Sequence, residues 1–156
     1  MKRLAVVWVR GTIGTDKRIK DILALLGLYR KNSCAIIADK PNNISMLNIV
    51  KDYVTWGEAD KETLKLLLEK RGKIYGNKPL TLSYLKEKTN LELNSFVDEF
   101  VNFKKELQDI PGLKRFFRLK PPVKGFERGG IKRPYSMGGV LGYRKEAINE
   151  LIKRMI

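Results

Sequence analysis

The chain has 156 residues, 43% of them apolar, and its 32 lysines and arginines against 17 acids leave a formal net charge of +15. That is enough apolar material for one folded domain with a real core, and the charge makes an anionic partner, nucleic acid first, the leading expectation. Histidine is absent and Cys34 is the single cysteine, which removes the commonest general base, the commonest metal ligand, any internal disulfide and any zinc site, so no metal or other cofactor is expected.

Met1, Lys2 and Arg3 ahead of Leu4 to Val9 resemble an export signal superficially, but the apolar run is six residues long and Arg10 ends it. No segment approaches the roughly 18 apolar residues of a membrane span. The expectation is a soluble, cytoplasmic protein with no membrane partner. The same run, LAVVWV, is continuous and β-branched, which reads as a central strand buried on both faces. The turn Gly11-Thr12-Ile13-Gly14-Thr15 leads into a helix from about Asp16, with Ile19, Ile22, Leu23 and Leu26 on one face and Gly27 just past its end. A Gly-x-x-Gly turn at a helix start can offer backbone N–H groups to a phosphate. It lacks the spacing and the Lys-Ser/Thr pair of a nucleotide-hydrolysing loop.

After the cations Arg30 and Lys31, Cys34 to Ala38 reads as a second strand with a buried thiol. Asn43 is expected to cap a helix carrying Met46, Ile49, Val50 and Tyr53 on one face, and Tyr53 to Trp56 to form a third strand ending at Gly57. The order strand, helix, strand, helix, strand fits either a parallel crossover unit or a small mixed sheet with both helices on one side. Beyond it, Asp60 is positioned to cap a helix bearing Leu64, Leu67 and Leu68, closed at Gly72. A turn from Gly76 to Leu80 precedes a short helical piece around Leu82 and Leu85. Between Asn94 and Lys105, Phe96, Val97, Phe100 and Val101 share a face, and Glu146 to Ile156 closes the chain as a helix with Ile148, Leu151 and Ile152 inward.

The most informative stretch runs from Lys114 to Arg144. It holds nine lysines or arginines against one acid, Glu127, together with Phe116, Phe117, Phe126, Tyr135, Tyr143 and six glycines. Basic residues displace counterions from phosphates, aromatic faces stack on unpaired bases, and glycines let a backbone approach a sugar-phosphate chain closely. Pro121 and Pro122 favour an extended path. Phe116 and Phe117 are adjacent, so in a strand one of them faces the core. A disordered basic linker carries few aromatics, and a membrane-surface segment needs an amphipathic helix or a lipidation site, which this Gly- and Pro-punctuated stretch does not offer.

Ile13-Gly14 after the first strand and Leu26-Gly27-Leu28 followed by Arg30 and Asn32 resemble the two short signatures of the large-ribosomal-subunit protein thirty family, counterpart of protein seven in eukaryotic ribosomes. Arg118-Leu119-x-Pro121-Pro122-x-x-Gly125-Phe126, Gly129-Gly130-Ile131-Lys132 and Gly138 to Arg144 are similar to the extension carried by its archaeal and eukaryotic forms. The resemblance implies an α+β fold. Residues 1–58 are expected to form a three-stranded sheet with two helices on one face, and residues 59–156 a helical extension, an extended basic RNA-binding loop over 114–144 and a C-terminal helix. The sequence opens without the long N-terminal arm of the eukaryotic form, which favours the archaeal type.

The function expected is that of a structural constituent of the large ribosomal subunit, with no catalytic residues and no small-molecule substrate. Its partners would be large-subunit ribosomal RNA, near the 5S rRNA, and neighbouring ribosomal proteins. Lys114, Arg115, Arg118, Lys120, Lys124, Arg128, Lys132 and Arg133 are expected to neutralise phosphates, and Phe126 and Tyr135 to stack on or wedge beside RNA. Arg10, Lys17, Arg18, Arg30 and Lys31 are expected to make a second patch. The alternative is a free RNA-processing or RNA-chaperone factor with the same fold. An RNA-cleaving enzyme would need a carboxylate pair such as Glu58 with Asp60 beside the basic loop.

Overall fold

A computed structural model describes residues 2–156. The first apolar run becomes β1 (Arg3–Trp8), every residue of which is buried. Side chains alternate along a strand, so Leu4, Val6 and Trp8 join one core cluster while Ala5 and Val7, with Val9 beyond the strand, join another. A strand serving two hydrophobic layers keeps no polar face, which is why its pattern is an unbroken apolar run.

β1 is the middle of a five-stranded sheet in the order β4 (Phe116–Arg118), β2 (Ser33–Ala38), β1, β3 (Val54–Glu58), β5 (Gly142–Tyr143). Both β2 and β3 run antiparallel to β1, in register from Arg3 opposite Ala38 and from Leu4 opposite Glu58. They are therefore parallel to each other, and the connection between them crosses β1. Of the two arrangements that the order of elements allowed, the structure has the small mixed sheet with both helices on one side and not the parallel crossover unit, because β1 runs antiparallel to both of its neighbours. Two helices, α1 (Lys17–Leu25) and α2 (Pro41–Val50), pack on the face of Leu4, Val6 and Trp8.

Local signals explain both helices. At the end of α1 the Gly27 N–H donates to Ala24 (2.9 Å) and the Leu28 N–H to Leu23 (2.8 Å), with Gly27 at φ +79°. This paired closure needs a left-handed residue, and it carries Leu28 back onto Leu23 in the core. α2 begins earlier than expected, at Pro41, because a proline suits the first helical position, where its missing N–H costs nothing. Asn43 is therefore inside the helix, where its side-chain amide donates to the Ala38 carbonyl at 2.8 Å. The buried residues of α2 are Leu47 and Val50, while Ile49 is exposed.

The opposite face of the sheet is covered by α3 (Lys61–Arg71), α4 (Leu82–Thr89), α5 (Leu93–Val101) and α6 (Ala147–Met155). Leu64, Leu67 and Leu68, then Phe96, Val97 and Phe100, then Ile148, Leu151 and Ile152 fill this larger core, as their helical spacing predicts. Gly57 lets α6 in. A Cβ there would lie 1.9 Å from the Lys145 carbonyl oxygen.

The basic stretch is less of a free loop than its composition suggests. Its ends are the two edge strands: β4 pairs antiparallel with β2, and β5 pairs parallel with β3. The chain between them passes over the α3–α6 side, because Leu119, Val140 and Leu141 are buried in that core. It is also tied to the end of α6, where the Lys120 N–H donates to Met155 (2.9 Å) and the Val123 N–H to Arg154 (3.0 Å). Two of its glycines serve the protein's own crossing. A Cβ on Gly129 would lie 2.5 Å from the Gly138 carbonyl oxygen, and one on Gly139 2.2 Å from that of Arg133.

Candidate nucleic-acid interface

Alternation along β4 sorts its residues. Phe117 is buried with Cys34 in the larger core, whereas Phe116 and Arg118 face the α1 side, where Arg118 is exposed. Burial pushes the Cys34 thiol up to about 12, so at neutral pH it is an inert core group. Arg118 donates to the Lys31 carbonyl at 3.2 Å. The Lys114 N–H donates to the Lys73 carbonyl at 2.9 Å, and its ammonium reaches Asn77. These bonds draw the turn after α1, the turn after α3 and the start of the basic stretch around one groove of about 380 Å³.

Arg30, Lys73, Lys114 and Arg118 line that groove, and no carboxylate does. Four like charges around a concave surface sum to a positive field that only an anion relieves. Tyr29 and Phe116 form one wall, ring centroids 5.4 Å apart and inclined by 67°. The same pair and Lys114 also border a neighbouring hollow of about 630 Å³, on which Arg115 opens.

The expected second patch is thereby divided. Arg30 lines the groove beside Arg118 and Lys31 lies next to it, beyond the C-terminal end of α1, while Lys17 and Arg18 are exposed in the first turn at the other end. A nine-residue helix separates these ends by about 13 Å. Lys17 and Arg18 sit at the positive end of the helix dipole beside Asp16 at the N-cap, whose carboxylate offsets part of that charge, and a phosphate there would offset the rest. Arg10 stays near them. Its guanidinium lies 5.5 Å from the Tyr53 ring centroid, and Thr15 donates to the Tyr53 hydroxyl at 3.2 Å.

Along the crossing segment Lys120, Lys124, Arg128, Lys132 and Arg133 are exposed. None of the cations singled out from the sequence forms an ion pair among the described residues, in which Lys2, Arg3, Lys61, Lys86, Lys153, Arg144 and Arg154 take that role. The lone acid of the stretch, Glu127, turns inward to Arg144 at 2.9 Å and Arg154 at 3.6 Å. Burial works to raise its pKa, but the Arg144 hydrogen bond and the two guanidinium charges outweigh it and hold the carboxyl below the usual range. The acid anchors the segment internally and leaves the neighbouring cations free.

The two expected stacking residues have partners already. Phe126 is half-buried and packs against the larger core, and Tyr135 carries the Arg144 guanidinium 4.7 Å from its ring centroid. Glu58, the carboxylate a cleavage reaction would need, is paired with Lys2 at 2.9 Å and accepts from the Tyr143 hydroxyl at 3.2 Å. The Lys2 hydrogen bond chiefly holds it in its charged form. Asp60 is exposed at the start of α3, its N–H donating to Asn149 at 3.0 Å.

Lys73 and Tyr29 have no place in the sequence-based site. Lys73 stands alone in a turn, and nothing in the sequence ties it to residues some forty positions away. Tyr29 did carry a signal: it follows Leu28, which Gly27 turns into the core, and it opens the exposed run that continues through Arg30 and Lys31.

Against known proteins, a family model described as ribosomal protein L30p/L7e matches residues 4–54. Over nearly its whole length the chain is similar to proteins named large ribosomal subunit protein uL30. It is 48% identical to that of Methanopyrus kandleri over 149 residues, covering 95% of this chain and all of the relative. The Nanoarchaeum equitans protein is 44% identical over 156 residues, the full length of both. That of Archaeoglobus fulgidus is 45% identical over 152 residues, covering 97% of this chain and 98% of the relative.

Proposed function

The chain belongs to the ribosomal protein L30p/L7e family, and from that membership we infer that it is an archaeal-type structural constituent of the large ribosomal subunit, working in translation through contacts with ribosomal RNA and neighbouring ribosomal proteins. The observation that carries this reading is near-half identity to large-subunit proteins over 95% of the chain. Its mechanism is electrostatic and steric. Arg30, Lys31, Lys114, Arg115 and Arg118 at the β4 edge, Lys120, Lys124, Arg128, Lys132 and Arg133 along the crossing segment, and Arg10, Lys17 and Arg18 near the start of α1 neutralise phosphates. Their freedom from internal ion pairs supports these roles. Phe126 and Tyr135 brace the segment and meet RNA with the surface they leave open.

We further propose a site near the 5S rRNA, which rests on the family resemblance, and a division into a family-wide core over 1–58 and an extension over 59–156. A family model that matches only residues 4–54 supports the division.

The test is sedimentation of a native lysate at moderate and then high salt, following this chain by mass spectrometry. Co-migration with the large subunit through moderate salt is the expected result. A free or polydisperse distribution would replace the reading with that of a free RNA-processing or RNA-chaperone factor.

A further inference from the structure

Building on the reading of the chain as an RNA-binding ribosomal protein, we propose that the groove at the β4 edge takes an unpaired segment of RNA, with one base on Tyr29 and the adjoining phosphates over Arg30, Lys73, Lys114 and Arg118. Two features select this ligand. The groove has four cations and no acid, so it asks for more than one negative charge. Tyr29 is 60% exposed although Phe116 braces its ring, and it stands between the cationic groove and the larger hollow, which mixes Leu25 and Ile37 with Glu106, Lys114 and Arg115. A flat, braced and exposed aromatic ring beside a cluster of cations matches the division of a nucleotide into base and phosphate.

Paired RNA does not fit this description. An A-form duplex keeps its base faces stacked inside and its major groove closed to side chains, so it offers Tyr29 nothing to stack on.

Binding of the full chain to three probes tests the assignment: a short single-stranded RNA, a duplex of the same sequence and AMP. The wild-type protein should prefer the single strand to the duplex, with AMP far weaker than either. Tyr29→Ala, at an exposed position, should melt like wild type, lose roughly 5- to 150-fold on the single strand, as stacking of one base on an aromatic ring implies, and change little on the duplex. Equal binding of single strand and duplex, or a Tyr29→Ala protein that holds the single strand as tightly as wild type, overturns the proposal. AMP binding as tightly as the strand also overturns it, since the groove would then be a free-nucleotide site. A wild-type protein that binds none of the three probes overturns it too, and leaves the ribosomal reading to its own sedimentation test.

Discussion

Replacing Arg144 with methionine should detach the basic segment from the sheet without removing any of its exposed charges. The side chain is 1% exposed and makes four bonds: Nε to the Thr55 hydroxyl (2.8 Å), both terminal nitrogens to Glu127 (2.9 and 3.4 Å) and one of them also to the Val140 carbonyl (2.8 Å). Methionine fills much of the volume but leaves Glu127 without its main cation and the Val140 carbonyl without a donor. Breaking a buried pair by removing one partner costs about 3–5 kcal/mol. Glu127 is 25% exposed and keeps Arg154, so the low end, about 3 kcal/mol, is expected. Urea unfolding followed by circular dichroism measures it: at an m-value of about 2 kcal/mol/M, the midpoint should fall by about 1.5 M.

A pH series sharpens that experiment. Glu127 has a depressed pKa in the folded state, so the stability it contributes is present above its ordinary value of 4.5 and is lost as pH falls through the lower folded value. The advantage of wild type over Glu127→Gln should therefore hold at neutral pH and shrink on acidification. Arg144→Met costing under about 1 kcal/mol, the value of an exposed pair, would refute the argument that this guanidinium anchors the segment.

Arg3 is buried between the rings of Phe100 and Phe103, 4.0 Å from each centroid, and donates to the Phe100 and Lys105 carbonyls and to Glu106, so Arg3→Ala should cost about 2–4 kcal/mol by thermal melting and Arg3→Lys should recover little. Gly57→Ala should displace α6 or prevent folding, whereas Gly11→Ala, whose Cβ meets nothing within 4 Å, should leave the melting curve within about 0.5 kcal/mol of wild type. Arg118→Gln should keep stability within about 0.5 kcal/mol and make the log-log salt dependence of RNA affinity shallower by roughly 0.7–0.9; an unchanged slope would remove Arg118 from the phosphate contacts. Cys34 should resist a thiol reagent at pH 8 in the native protein and react on unfolding, because burial keeps it protonated.

The regular elements were legible where one local rule acted alone. From Leu4 on, β1 is an unbroken apolar run because both its faces are buried, and α1 ends at Gly27 because only a left-handed residue closes the helix that way. The edge strands were not, since three residues of β4 and two of β5 are held by pairing with distant strands and not by any propensity of a Gly- and Pro-rich stretch. The division of labour among the cations was hidden for a similar reason. Arg144 and Arg118 look alike in a basic run, yet one lies beneath the crossing segment and the other is open to solvent. What separates them is the position of Glu127 and Thr55, which only the tertiary fold brings to Arg144. The glycines misled in the same way: Gly129 and Gly139 allow close approach, but of the protein's own backbone.

The placement of β4 and β5 sets an order of events during synthesis. The three inner strands are all made by residue 58, but the outer edges of β2 and β3 stay bare until residues 116–118 and 142–143 have been added. The groove around Arg118 therefore takes shape only after residue 118 has been added, and the crossing segment is anchored only after α6, to which it is tied at Arg154 and Met155. Of the three cationic surfaces, that of Arg10, Lys17 and Arg18 belongs to the strands and helices made first, whereas the groove and the crossing segment wait for strands that the chain adds late.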